Sequence, residues 1–170
     1  MSKRIRTGRL ALGMAAVAAA AGAVLPADTA SARGDGWQLF DFAPYDAACG
    51  AMTVHVSASV NREYFRELTQ RDGSVLWQVD GSLFVTYEAD NGKSVTVNAS
   101  GPGRVLFPDD DTRIMAKGRN SFTFSPEQAQ ALGVPQISVS AGPFDVTFHS
   151  DGTVSGHLGN IIRNICAELA

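Results

Sequence analysis

Apolar residues recur at every second position over much of the chain beyond residue 50. Met52, Val54, Val56 and Ala58 alternate with polar residues, which is the period of a strand with one buried face. The same alternation returns in later segments, at 83–87, 95–97, 122–124, 137–139 and 144–148. The pattern therefore predicts a domain built mainly from strands.

Three Asx-Gly pairs lie between alternating segments and predict β-hairpins. They are Asp72-Gly73, Asn91-Gly92 and Asp151-Gly152. At the second of these pairs, a two-residue turn would set Val95 opposite Glu88, whereas a three-residue loop over 90–92 sets Val95 opposite Tyr87. The longer loop keeps the apolar side chains on one face, so we predict it.

The third hairpin has the same preference for a three-residue loop. With residues 150–152 in the loop, apolar positions face one another in three pairs: Phe148 with Val154, Val146 with Gly156 and Phe144 with Leu158. The opposite face then carries Asp145 beside His157, Thr147 beside Ser155 and His149 beside Thr153. We predict one apolar and one polar face.

Consecutive hairpins without a strong helical period predict an all-β fold. We expect an antiparallel meander that closes as a small barrel or folds as a sandwich. One short helix is expected over 125–132, where Ser125 caps the start, Pro126 occupies the first turn and Glu127 faces the positive end of the helix.

The first 32 residues have the pattern of a signal peptide. Basic residues between Lys3 and Arg9 precede an uncharged, alanine-rich stretch over 10–25, which is short for a membrane span. The small residues 30–32 then predict cleavage after Ala32; the alternative is an uncleaved anchor. This organisation predicts a secreted product with an irregular arm at 33–48 and a β-rich domain at 49–170.

Removal of this leader would leave 10 Lys and Arg against 16 Asp and Glu, a formal charge of −6. Because no basic cluster would survive cleavage, the composition argues against nucleic acid or an anionic membrane as a partner. We expect no membrane attachment of the mature chain.

Cys49 and Cys166 are the two cysteines of the chain. In the oxidising environment that follows export, two thiols in a small domain usually pair. We predict a disulfide between Cys49 and Cys166 that joins the two ends of the β-rich region; the alternative is two reduced thiols.

The candidate chemistry is sparse. His149 and His157 fall on one face but about 13 Å apart at 3.3 Å per residue, too far for one metal ion to bridge. We therefore predict no metal site and no cofactor. His157 opposite Asp145 is interpreted first as a cross-strand surface pair. The alternative is an acid–base pair, which would need to line a cavity.

Other sites have less support in the sequence. No nucleophile elbow or S-x-x-K motif occurs, so the catalytic residues are otherwise unidentified. The acidic run 109–111 is interpreted as a solvated turn rather than a calcium site. Glu63 and Glu67 interleave with apolar residues like the outer side of an edge strand or twisted hairpin.

The order of features from Cys49 to Cys166 resembles a group of small, uncharacterised, exported β-rich proteins of actinobacteria. The matching pieces are Cys49-Gly50, the segments 91–95 and 98–103, a late Asp-Gly hairpin and the terminal Cys166-Ala167-Glu168-Leu169. The group has no assigned activity. The resemblance therefore implies export, the β-fold and the disulfide, without catalytic residues.

These observations favour a non-enzymatic secreted binding module. Its ligand would be a small apolar molecule inside the fold, or a protein or cell-envelope partner outside. One alternative is a small barrel enzyme that uses His157 with Asp145, or His55, as acid and base. Another is a structural or inhibitory protein that acts through its surface loops.

Overall fold

The computed structural model describes residues 36–170. The predicted leader, its cleavage site after Ala32 and the first residues of the arm lie outside the described residues. Within them the chain forms ten strands and two short helices. The strands are β1 Gln38–Leu39, β2 Tyr45–Cys49, β3 Met52–Thr69, β4 Val75–Ala89, β5 Ser94–Asn98, β6 Gly103–Leu106, β7 Thr112–Ala116, β8 Arg119–Thr123, β9 Ile137–Phe148 and β10 Val154–Asn164. The helices are α1 Pro126–Leu132 and α2 Ile165–Leu169.

The strands form one antiparallel sheet with the order β1-β3-β4-β6-β7-β9-β10. Three short strands pair off this path, β2 with β3, β5 with β4 and β8 with β9. The prediction of an antiparallel, mostly β fold is confirmed. The arm at 33–48 contributes β1 and β2, which both pair with β3.

The expected closure into a barrel is wrong, because β1 and β10 end the strand order of the described residues without pairing to each other. The physical reason lies in the long strands. β4 pairs with β6 along its first half and with β5 along its second half, and β9 changes partner from β8 to β7 in the same way. Because each half of a long strand pairs with a different neighbour, the strand order branches at β4 and β9 and does not return from β10 to β1.

The hairpin registers agree with the sequence pattern. Val95 lies opposite Tyr87, and Phe148 lies opposite Val154. Each glycine of the three predicted turns has a positive φ, between 83° and 85°, a region that costs glycine little. The three-residue loops are therefore confirmed.

A bulge in β3 changes which side chains face inward. The register shifts between Ala58 and Val60, and a one-residue shift moves every following side chain to the opposite face. Val54 and Val56 are buried before the bulge, and Glu63 is buried after it. The expectation that Glu63 lies on the outer side of an edge strand is wrong for this reason, and β3 has strands on both sides.

The inner side of the sheet holds two hydrophobic clusters. One surrounds Tyr87 and the disulfide and includes residues of β3, β4, β5, β9 and α2. The other is rich in phenylalanine and packs β8 and α1 against β7, β9 and β10. Within it the Phe122 ring meets the Phe144 ring edge-on at 4.9 Å, a favoured aromatic geometry.

The predicted disulfide between Cys49 and Cys166 is confirmed. It joins the end of β2 to α2, with the two Cα atoms 5.4 Å apart. The sequence pattern did not predict α2, whose first turn is capped by the Asn164 side chain accepting from the Ala167 N–H.

Helix α1 is confirmed in position and in its start. Ser125 is the N-cap and forms a capping box with Gln128, while Gly133 ends the helix in the left-handed region. Among residues 36–170, neither helix has the length and apolar character that crossing a membrane requires.

Candidate functional site

The side of the main sheet that faces away from the clusters carries two rows of side chains across six strands. We call this side the outer face. The first row is Arg66, Gln78, Arg104, Met115, Asp145 and His157. The second row is Leu68, Leu76, Leu106, Arg113, Thr147 and Ser155. Each residue is directly opposite the next one in its row, so the rows form a continuous surface.

The predicted acid–base pair lies on this outer face. His157 stands opposite Asp145 as expected. However, the Asp145 carboxylate is bound by Arg113, whose Nε and Nη2 lie 2.7 and 2.5 Å from its two oxygens. The Arg113 guanidinium lowers the pKa of Asp145. No hydrogen bond joins His157 to Asp145 among the described residues, so both oxygens of this carboxylate are held by Arg113 rather than by the imidazole.

The other two histidines each meet a carboxylate elsewhere. The exposed His55 Nδ1 lies 2.9 Å from Asp46 Oδ1 on the neighbouring strand. His149 lies beside Asp111, with 2.7 Å between Nδ1 and Oδ2. In the part of the chain that the structure describes, no three His, Cys, Asp or Glu side chains are grouped to hold a metal ion.

His149 is also the centre of a longer hydrogen-bonded chain. Its Nε2 lies 2.8 Å from the hydroxyl of Ser155, so Asp111, His149 and Ser155 are linked in series. Asp111 precedes β7, His149 follows β9 and Ser155 lies in β10. The short loop of the third hairpin brings the last two together, and the Ser150 N–H donates to Asp111 Oδ1 at 2.9 Å.

The hydrogen bonds around Asp111 favour its charged form beside the His149 imidazole. The Ser150 N–H and the His149 side chain together lower the pKa of Asp111, since both stabilise the charged form. Asp111 and His149 keep 28% and 34% of their side-chain surface exposed, and Ser155 is exposed. The arrangement is therefore open to molecules in solution.

Sequence reasoning missed this constellation although part of it was visible. The predicted third hairpin sets Ser155 and His149 diagonally on one polar face, where side chains reach each other. Asp111 belongs to the run 109–111, whose approach to β9 spans 38 residues of sequence. No local pattern predicts a contact over that distance.

A second polar group lies inside the fold, where β3 and β4 face β8. Glu63 is 2% exposed, and burial raises its pKa to about 7, with Asp80 adding to the effect. The adjoining cavity has a volume of about 10 Å³ and is lined in part by Glu63, Asn120 and Ser121. That volume suits about one water molecule, so this cavity has no room for an apolar ligand.

Two tyrosine hydroxyls connect the facing layers around this cavity. Tyr87 lies 2.5 Å from the Ser121 hydroxyl, and Tyr45 lies 3.1 Å from the Thr123 hydroxyl. Burial raises the pKa of Tyr87 to about 12, so its hydroxyl stays protonated at neutral pH. These contacts fix how β8 sits against β2 and β4.

Comparison with protein-family models, with curated proteins and with solved structures finds no match for this chain. The roles of its residues therefore rest on their geometry and chemistry alone.

Proposed function

We propose that the chain is exported and acts as a binding module that recognises an acidic protein partner through the outer face. Export is supported by the leader-like pattern of residues 1–32 and by the Cys49–Cys166 disulfide, which suits an oxidising compartment. The interior cavity of about 10 Å³ favours recognition at the surface over a ligand carried inside.

The composition of the outer face carries this proposal. Arginine, methionine and aromatic residues are enriched in protein interfaces, whereas lysine is depleted there. The outer face carries Arg66, Arg104, Arg113 and Met115, while Lys93 and Lys117, the lysines of the described residues, lie outside both rows.

The Trp37 ring extends the first row beyond β3. It packs against the Arg66 guanidinium, whose carbon lies 5.0 Å from the ring centroid. Arg66 also donates from Nε and Nη2 to Gln78 Oε1. A guanidinium held in this way loses little conformational freedom when it pairs with a carboxylate.

Charge complementarity indicates the character of the partner. The expected mature chain has a formal charge of −6, yet arginine outnumbers acidic residues in the two rows of the outer face. The acidic member of these rows, Asp145, is already paired with Arg113. Arg66 and Arg104 therefore remain to attract carboxylates of a partner.

The double variant R66E/R104E tests this proposal. We expect it to weaken binding of acidic extracellular proteins by about tenfold or more, because two attractions become repulsions. The measurement is biosensor affinity for a partner that the native chain retains and mass spectrometry identifies. Raising the salt concentration should weaken the native interaction as well.

The matched control is R71E/R119E, which reverses two exposed arginines outside the rows. This control should bind like the native chain. Equal binding by the native chain and R66E/R104E would overturn the proposal, as would a lipophilic molecule that copurifies with the protein and is released on unfolding.

A further inference from the structure

Asp111, His149 and Ser155 form a hydrogen-bonded series on the outer face. Binding of a protein partner does not require this arrangement. We propose that Ser155 is a nucleophile toward carboxylic esters, with His149 as its general base and Asp111 as the group that orients the imidazole. Neither the candidate pair at His157 nor the proposed interface involves this chemistry.

The distances support these three roles. Ser155 Oγ lies 2.8 Å from His149 Nε2, and His149 Nδ1 lies 2.7 Å from Asp111 Oδ2. Both values are within the range needed for a nucleophile, its base and the group that orients the base. An Asp111 carboxylate that accepts from Nδ1–H leaves Nε2 unprotonated, so it can accept the hydroxyl proton.

The Asp111 carboxylate is itself fixed. Its second oxygen accepts the Ser150 N–H at 2.9 Å, so the carboxylate is held from two directions. Ser150 follows His149 directly in the hairpin loop, and the same loop leads into β10. The turn thus sets the positions of His149 and Ser155 and supplies the N–H that holds Asp111, which is the preorganisation that catalysis needs.

The strand edge at Ser155 supplies a donor for the charge that develops on the substrate. The His149 N–H donates to the Thr153 carbonyl, which makes Thr147 and Ser155 the next hydrogen-bonded pair of the antiparallel ladder. The N–H of Gly156 therefore points away from β9, and β10 pairs with β9 alone among the described strands. A backbone N–H directly after the nucleophile is a common oxyanion donor.

Gly156 also lies where no other residue fits. Its φ is +127°, and a Cβ at this position would lie 2.2 Å from the Asp145 carbonyl oxygen and 2.8 Å from the Val146 Cα. A glycine here lets β10 approach β9 closely and leaves the N–H exposed.

The reaction is an ordinary acyl transfer. Ser155 Oγ adds to the ester carbonyl carbon while its proton moves to His149 Nε2. The carbon–oxygen bond to the alcohol then breaks, and the alcohol leaves with that proton. Water attacks the acyl-serine, gives a proton to Nε2, and the carboxylic acid departs as Ser155 regains its hydrogen.

A fluorophosphonate probe tests the nucleophile directly, because it forms a covalent adduct with activated serines. We expect intact-mass and peptide analysis of the full disulfide-bonded protein to place one adduct on Ser155. Ser155→Ala should abolish this adduct. His149→Gln should slow labelling by about 100-fold or more, in keeping with the loss of a general base.

Hydrolysis of p-nitrophenyl acetate gives a second readout, in which Ser155→Ala and His149→Gln should reduce kcat/KM alike. The matched controls are Ser94→Ala, an exposed serine on β5, and His55→Gln, whose imidazole meets Asp46 without a serine. Both controls should behave like the native chain. Absence of label on Ser155 in folded native protein would overturn the proposal, as would equal labelling of His149→Gln.

Discussion

The carboxylate at the inner cavity, Glu63, and the carboxylate of Asp111 on the outer face differ in their hydrogen bonds and in the direction of their pKa shifts. On the outer face, both oxygens of Asp111 accept hydrogen bonds, from His149 and Ser150. Inside, Glu63 Oε2 and Asn120 Nδ2 have no hydrogen-bond partner among the described residues. The pKa of Asp111 is lowered, whereas that of Glu63 is raised to about 7. Hydrogen-bond donors stabilise the charged form of the outer carboxylate, whereas burial, together with the charge of Asp80, raises the pKa of the inner one.

The difference follows from how each group is placed. Asp111 meets its donors where two regular hairpins end side by side, so ordinary register supplies them. Glu63 faces inward because of the bulge before Val60, at the place where β8 covers the sheet. The bulge thus moves an ionisable side chain into surroundings whose remaining contacts are mainly apolar.

The largest expected loss of stability comes from removing the Cys49–Cys166 disulfide. In the double variant C49S/C166S we expect the free energy of unfolding to fall by about 4 kcal/mol, because the bond closes a loop of more than 100 residues. Chemical denaturation measures this loss.

Hydrogen exchange locates the effect of losing the disulfide. Amides of β2 and α2 should lose protection more than those of β9 and β10 beside the turn at 149–153, because this turn is at the opposite end of the hairpin from Cys166. A loss below about 1 kcal/mol, or an equal loss of protection in both regions, would contradict a role of the disulfide in holding the inner layers together.

The next effect concerns pH and Glu63. Its carboxyl binds a proton more tightly in the folded state, where the pKa is about 7, than in the unfolded chain, where the pKa has its ordinary value of 4.5. The stabilisation is therefore complete below pH 4.5 and is lost as the pH rises to 7. The change is about 3 kcal/mol. Glu63→Gln should remove this pH dependence and be the more stable protein at pH 8.

Denaturation curves at pH 4.5, 6 and 8 check this expectation. Glu67→Gln, an exposed carboxylate on the same strand, is the control and should keep the pH dependence of the native chain. Parallel stability profiles for the native chain and Glu63→Gln would show that Glu63 does not titrate near neutrality.

A smaller difference in stability is expected between substitutions on the two faces of β4. Tyr87→Phe removes the hydroxyl that meets Ser121 in the interior and should cost about 1.5 kcal/mol. Its neighbour Thr86 hydrogen-bonds Thr96 on the opposite face, at 2.9 Å, and Thr86→Val should change stability by about 0.5 kcal/mol or less. Thermal or chemical unfolding distinguishes them; equal costs would contradict the contrast between the faces.

The parts of the fold that could be predicted from the sequence are those set by local chemistry. The pairs Val95–Tyr87 and Phe148–Val154 follow from alternation and from a glycine at the turn. The cap of α1 by Ser125 follows in the same way. The residues of each of these features lie at most eight positions apart in the sequence.

The parts that could not be predicted depend on departures from regularity or on distant contacts. Strict alternation through β3 turns Glu63 outward, and only the bulge reverses it. Closure into a barrel was expected because a meander with buried faces is compatible with it, but β4 and β9 change partners along their length and the strand order ends at β1 and β10. The site at Ser155 depended on Asp111, which approaches His149 only in the folded chain.

The disulfide also imposes an order on folding. Cys49 and Cys166 are 117 positions apart, so the bond cannot form until all the strands between them have been synthesised. The hairpins, with their local contacts, can form earlier and on faster timescales. Oxidation of the two thiols is therefore expected late in folding, after the local hairpins have formed.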